Sequence, residues 1–95
     1  MKPEGTVADT LKARGHKYGK YAMQSYYSQR LKALLRGPKG WEELSSYQKE
    51  SLEMIAVKIS RILNGDPNHA DSWHDIAGYA KLVEDALKGG KDERD

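Results

Sequence analysis

Four carboxylates stand at helical spacing in the second half of the chain: Glu50 and Glu53 in Glu50-Ser51-Leu52-Glu53, and Asp71 and Asp75, one turn apart. Carboxylates on two adjacent helices suit a hard cation such as Mg²⁺, which takes oxygen ligands and bridges them to substrate phosphates. Lys58 and Arg61 lie between the two pairs and could bind phosphate or neutralise a carboxylate. Asp75 needs such a partner. It aligns with Gly78, Leu82 and Ala86 toward the packed side of its helix, whereas His74, Lys81, Glu84, Asp85 and Lys88 share the solvated side, and an unpaired buried charge is expensive. Two readings stay open: a structural Asp75–Lys58 or Asp75–Arg61 pair tying two helices together, or a ligand site built from the same groups. Gly78 permits close helix approach in either. At about 100° per residue, Glu50, Glu53 and Arg61 point away from the stripe of Leu52, Ile55 and Ile59. A metal site there needs their face, which also carries Met54 and Val57, to be covered by another helix or subunit.

A second group of candidates lies upstream. From Lys12 to Lys39 there is no acidic residue, and eight cations alternate with Tyr18, Tyr21, Tyr26 and Tyr27. Tyrosines beside Lys and Arg suit base stacking and phosphate contact. The total charge of only +2 argues against a dedicated nucleic-acid binder, and Tyr27 falls in a core stripe. The Arg14-Gly15-His16-Lys17-Tyr18-Gly19 turn could offer backbone N–H groups to a phosphate but lacks the Gly-Lys-Ser/Thr of a P-loop. His69 and His74 are five residues apart rather than four, so zinc spacing is absent, and no serine has a G-x-S-x-G context.

The elements that must position these groups are all helical. In 95 residues with 38% hydrophobic content and a mean hydropathy of −0.84, no period-2 stretch is long enough for a strand. Residues 1–19 read as a short N-terminal helical arm. Met23, Tyr27, Leu31, Leu34 and Leu35 form the stripe of a helix over 20–36, stopped by Gly37-Pro38. After a loop carrying Trp41, a Ser45…Gln48 capping box opens a helix over 45–64, with Leu52, Ile55, Ala56, Ile59, Ile62 and Leu63 on one face. Asp66 or Asn68 caps a last helix over 68–88, whose stripe is Trp73, Ile76, Ala77, Ala80, Val83 and Leu87. Gly89-Gly90 ends it, leaving 89–95 as a frayed tail. The expectation is one all-α domain, a three-helix bundle with an N-terminal arm.

Charge and size add two expectations. Residues 1–39 hold nine basic and two acidic side chains, and residues 40–95 hold seven basic and twelve acidic, so one end can complement the other. A domain this small with no cysteine cannot be stapled by disulfides and is expected to form a homo-oligomer. No run of about 20 apolar residues and no signal-peptide stretch is present, so a cytosolic protein is expected, with no membrane partner.

Lys58-Ile59-Ser60-Arg61-Ile62-Leu63 followed by Asp71-Ser72-Trp73-His74-Asp75-Ile76-Ala77-Gly78-Tyr79-Ala80 resembles the K-I-x-R-I and D-S-W-x-D-I-A-G-Y-A motifs of a family of small phage and prophage proteins of unknown function. Arg14-x-x-x-Tyr18-Gly19 is similar to that family's R-x-x-x-(Y/H)-G turn. The resemblance covers about two-thirds of the chain and implies a viral origin, hence a host cytoplasm, but no activity. A looser similarity runs to MazG-type all-α nucleoside triphosphate pyrophosphohydrolases, whose E-x-x-E and E-x-x-D carboxylates bind Mg²⁺. Glu50-x-x-Glu53 matches the first motif, while Ser72 stands where the second requires Glu. Ala56 to Arg61 is also similar to small phage proteins described as nucleotide kinases.

Three functions follow as expectations. The first is an accessory protein that binds a nucleotide or other phosphate ligand at Lys58, Arg61, Asp71 and Asp75, with Arg14, Tyr18 and Tyr79 assisting and Tyr79 able to stack a base. The second is a MazG-like, Mg²⁺-dependent pyrophosphohydrolase with Glu50, Glu53, Asp71 and Asp75 as metal ligands. The third is a viral inhibitor that binds a host enzyme or defence complex through its basic, Tyr-rich arm.

Overall fold

The computed structural model describes residue 7 and residues 20–89. The rest of the arm over 1–19, including Arg14 and Tyr18, and the tail from residue 90 lie outside the described residues. Over residues 20–89 three helices follow in order: α1 over Tyr21–Leu35, α2 over Ser46–Asn64 and α3 over Ala70–Leu87, with a 3₁₀ turn over Lys39–Glu43 between the first two. Among the described residues there is no strand, so the chain is all-α, and each helix lies within two residues of the span its periodicity predicts.

Local chemistry sets the boundaries. α1 ends where Gly37 and Pro38 interrupt the helix, with the Arg36 and Gly37 amides donating to the carbonyls of Lys32 and Leu34. The Ser45 capping box is formed: Gln48 N–H donates to Ser45 Oγ at 3.3 Å, and Ser45 N–H donates to Gln48 Oε1 at 2.8 Å. Two otherwise orphaned amides are satisfied, which contributes about 1 kcal/mol to α2. The start of α3 differs from expectation. His69 is its N-cap and makes no side-chain cap bond, while Asp66 Oδ1 accepts from the Asn68 amide at 2.9 Å in the preceding turn. Asp66 therefore shapes the loop instead of capping the helix. At the far end Gly89 adopts a φ of 83°, the left-handed conformation that glycine enters without a Cβ penalty.

α2 is the middle helix. It packs against α1 and against α3, and these two pairs carry most of the tertiary contact between helices. A helix clasped on two sides must bury two stripes. Glu53, Ala56 and Ser60 follow one, toward the Arg36–Glu53 ion pair with the end of α1; Ser51, Ile55 and Lys58 follow the other, toward α3. Glu53 thus meets the end of α1, while Met54 and Val57 are half-buried and Glu50 is exposed.

The core differs from the predicted stripes. Among the described residues the buried side chains are Trp41 and Ala56 together with Gln24, Ser28, Ser51, Ser60 and Ser72. On α1 the packed seam is Gln24 and Ser28, one residue round from Met23, Tyr27 and Leu34, which are exposed. On α2, Leu52 and Leu63 are exposed, and on α3 so are Trp73, Ala77, Ala80 and Leu87. Small side chains let the helices approach along the seams, and the large apolar ones are left beside them. Trp41, read from sequence as a loop residue, is the large side chain that the fold buries most completely, at 8% exposure.

Candidate functional site

The one pair of charges joining α2 to α3 among the described residues is Lys58 with Asp75, Nζ to Oδ2 at 2.8 Å. Of the two partners open from sequence, the hydrogen-bonded one is Lys58. Its side chain is only 12% exposed, whereas that of Asp75 is 42% exposed, so a largely buried lysine side chain meets a carboxylate open to solvent. The Lys58 hydrogen bond holds the Asp75 carboxyl below the usual carboxylate range. Desolvation opposes it, and the charges of Lys58, His74 and Arg61 add to the lowering. Arg61 thus reaches Asp75 electrostatically.

The sign of the pH effect follows. A carboxyl whose folded value is depressed contributes stability that is present above the unfolded value and lost as pH falls through the folded one. The melting temperature of the wild type relative to Asp75→Asn should therefore hold from about pH 7 to about pH 5 and fall from there toward about pH 3. A difference that stays constant over that range would show that the pair contributes nothing to folding.

Asp75 also lines an open groove of about 400 Å³, together with His74, Gly78, Tyr79 and Leu82. The helical line Asp75, Gly78, Leu82 is its floor. Gly78 does not serve close helix approach as expected, since a Cβ there would meet nothing within 4 Å. Its missing side chain keeps the groove open. Tyr79 faces two ways, also lining an apolar cleft of about 280 Å³ formed with Leu44, Leu52, Ile55, Ala80 and Val83 on the other side of the α2–α3 contact. His74, assigned from sequence to the solvated side, is part of the groove. The available signal was its position one turn before Gly78, where nothing separates the two.

The remaining sequence candidates do not join this site. Asp71 is exposed in the first turn of α3, with His69 Nε2 3.9 Å away, and is not part of the groove lining. Glu53 receives two hydrogen bonds from Arg36, from Nε at 3.1 Å and Nη2 at 3.0 Å. Glu50 is exposed on α2. The set Glu50, Glu53, Asp71 and Asp75 is thus corrected. Among the described residues no three His, Asp or Glu side chains come together as a metal site, because Glu53 turns to α1 while Asp75 turns to Lys58.

Fold and site together define a small all-α protein with an ion pair beside an open, aromatic-lined groove. Residues 9–87 match the family described as Domain of unknown function (DUF6378), and the chain belongs to that family. It is also similar to UDP-N-acetylmuramoylalanine--D-glutamate ligase of Methylococcus capsulatus, 36% identical over 47 residues. That match covers 50% of this chain and 10% of the ligase, so it relates a segment and not a whole protein. No solved structure matches. No helix among the described residues is long and apolar enough to cross a membrane.

Proposed function

We propose that the groove of Asp75, Gly78 and Tyr79 binds a phosphate-bearing ligand of nucleotide size, with Lys58 as its principal cation. The supporting observation is the position of Lys58: a largely buried side chain whose ammonium lies 2.8 Å from a groove-lining carboxylate. An ammonium has three donors, so one can remain on Asp75 while others turn to phosphate oxygens. Arg61 adds positive field, as does His74 when protonated. The Tyr79 ring offers a face on which a base can stack. Mg²⁺ is commonly held by one or two carboxylates plus substrate phosphates, so Asp75 alone could share such an ion with the ligand. The four-carboxylate hydrolase is not favoured, since its ligands diverge.

The test is a thermal-shift panel of ribo- and deoxyribonucleotides, cyclic dinucleotides and inorganic phosphate, each with and without Mg²⁺. A ligand that binds the folded state raises the melting temperature by mass action, equivalent to about 2.7 kcal/mol at 100 times Kd. A rise for one phosphate class is expected. No shift across the panel at millimolar ligand would remove the reading.

A specific observation favours a second reading, the binding of a host protein. On α1 the Arg30 guanidinium lies 5.7 Å from the centre of the Tyr26 ring, and Tyr26 meets Tyr27 edge-on at 5.1 Å. Exposed, pre-ordered Tyr and Arg are the residue types that dominate protein interfaces.

A further inference from the structure

We infer that the chain forms a two-fold dimer through the face opposite the groove, with α1 of each protomer lying over α3 of the other. The inference is independent of the proposed ligand. It begins from the side chains that the fold leaves outside. Met23, Tyr27 and Leu34 of α1, Leu52 and Leu63 of α2, and Trp73 and Leu87 of α3 are all exposed, Leu34 by 74% and Leu63 by 71%.

These residues share one side of the molecule. Leu52 and Ala80 line the same apolar cleft, and Lys58 meets Asp75 on the other side of the α2–α3 contact. At 3.6 residues per turn, Leu63 follows Leu52 on α2, while Trp73 and Leu87 flank Ala80 on α3. α1 runs antiparallel to α2, its last residues beside Glu53. With Gln24 and Ser28 turned to α2, the same periodicity brings Met23, Tyr27 and Leu34 to the side of Leu52. The ligand groove opens on the other side.

Three observations commit this face to a second copy. Among the described residues the protomer buries only Trp41 and Ala56 as apolar side chains, and a small chain without disulfides needs further burial to be stable. The exposed apolar residues present on the order of 800 Å², about what one partner gives to a standard interface. Charge then selects the arrangement. On this face α1 carries Arg30 and no acid, whereas α3 carries Glu84 beside Ala80 and Leu87. A two-fold axis parallel to the helices sets α1 over the partner's acidic α3, with α2 facing its own copy. An axis across the helices sets like over like. Trp73, 55% exposed yet fixed by a 2.8 Å hydrogen bond from Nε1 to the Pro67 carbonyl, is the rigid anchor such an interface uses.

The full chain contains no cysteine, so single cysteines report geometry cleanly. Sedimentation of the wild type at about micromolar to tens of micromolar should give a dimer, and Leu63→Lys should shift it to monomer with helical circular dichroism retained at high concentration. Leu52→Cys and Leu63→Cys should each cross-link to themselves with a short bis-maleimide, because the parallel axis keeps each residue level with its copy. The two positions are about 16 Å apart along α2, so an axis across the helices cannot bring both level. A monomeric wild type, a dimer that persists in Leu63→Lys, or self-linking at only one of the two positions would overturn the arrangement. The first result would leave this face to another protein or to residues 8–19.

Discussion

Trp41→Ala is expected to cost about 3–5 kcal/mol, the range for deleting a buried Trp or Phe side chain. Native proteins of ordinary stability hold about 5–15 kcal/mol in total, and this chain has few other large side chains to rely on. Among the described residues the other buried ones are Ala56, Gln24 and four serines, whose burial contributes far less apolar transfer energy. Trp41 sits in a turn closed by two backbone bonds, its own amide to the Pro38 carbonyl at 3.1 Å and the Leu44 amide to its carbonyl at 3.2 Å. The 3₁₀ turn between α1 and α2 therefore contributes a buried indole of its own. Denaturant titration at fixed protein concentration measures the effect, and Trp41→Phe should recover most of the loss. A midpoint change worth less than about 1 kcal/mol for Trp41→Ala would mean that stability resides in the helix seams or in an interface between copies.

Substitutions at the ion pair should change phosphate binding in opposite directions. Lys58→Ala removes a charge-assisted hydrogen bond, worth about 1.5–3 kcal/mol, and should weaken binding of the panel's best ligand by roughly 10- to 100-fold. Asp75→Asn keeps the shape but deletes the negative charge beside the bound phosphate and releases Lys58 from its partner. If Asp75 only orients Lys58, the anion should bind more tightly, by several-fold, with no dependence on Mg²⁺. Should Asp75 instead share a metal ion with the ligand, the same change weakens binding and abolishes any Mg²⁺ effect. Calorimetric titration of both variants, with melting curves to establish that each is folded, separates these cases. Equal and small effects from both would reduce the pair to a strut between two helices.

The helices were legible because their signals are local. Gly37-Pro38, the Ser45…Gln48 box and Gly89 act on the residues beside them, and the observed boundaries follow them closely. The Lys58–Asp75 contact was half legible: the sequence requires a cation near Asp75 but does not choose between Lys58 and Arg61, which differ by less than one turn. Core stripes were the weak point. Periodicity marks Met23, Tyr27, Leu34, Leu52, Leu63, Trp73 and Leu87 as apolar-face residues, which they are, but not as residues that this protomer buries.

By itself, then, the sequence determined the helical class, the approximate bounds of α1, α2 and α3, and the placement of Asp75, Gly78 and Leu82 on one line. Tertiary structure alone decided which seams close. With α2 clasped from two sides by α1 and α3, the packed stripes are those of Gln24 and Ser28, and of Ser51, Ala56 and Ser60. Glu53 is spent on Arg36, and Lys58 is delivered to Asp75 at the groove. Helix periodicity reports how apolar a face is; which face meets a neighbour depends on the azimuth at which two helices dock. That angle is set by side-chain volumes on both helices at once, and no window along a single one contains it.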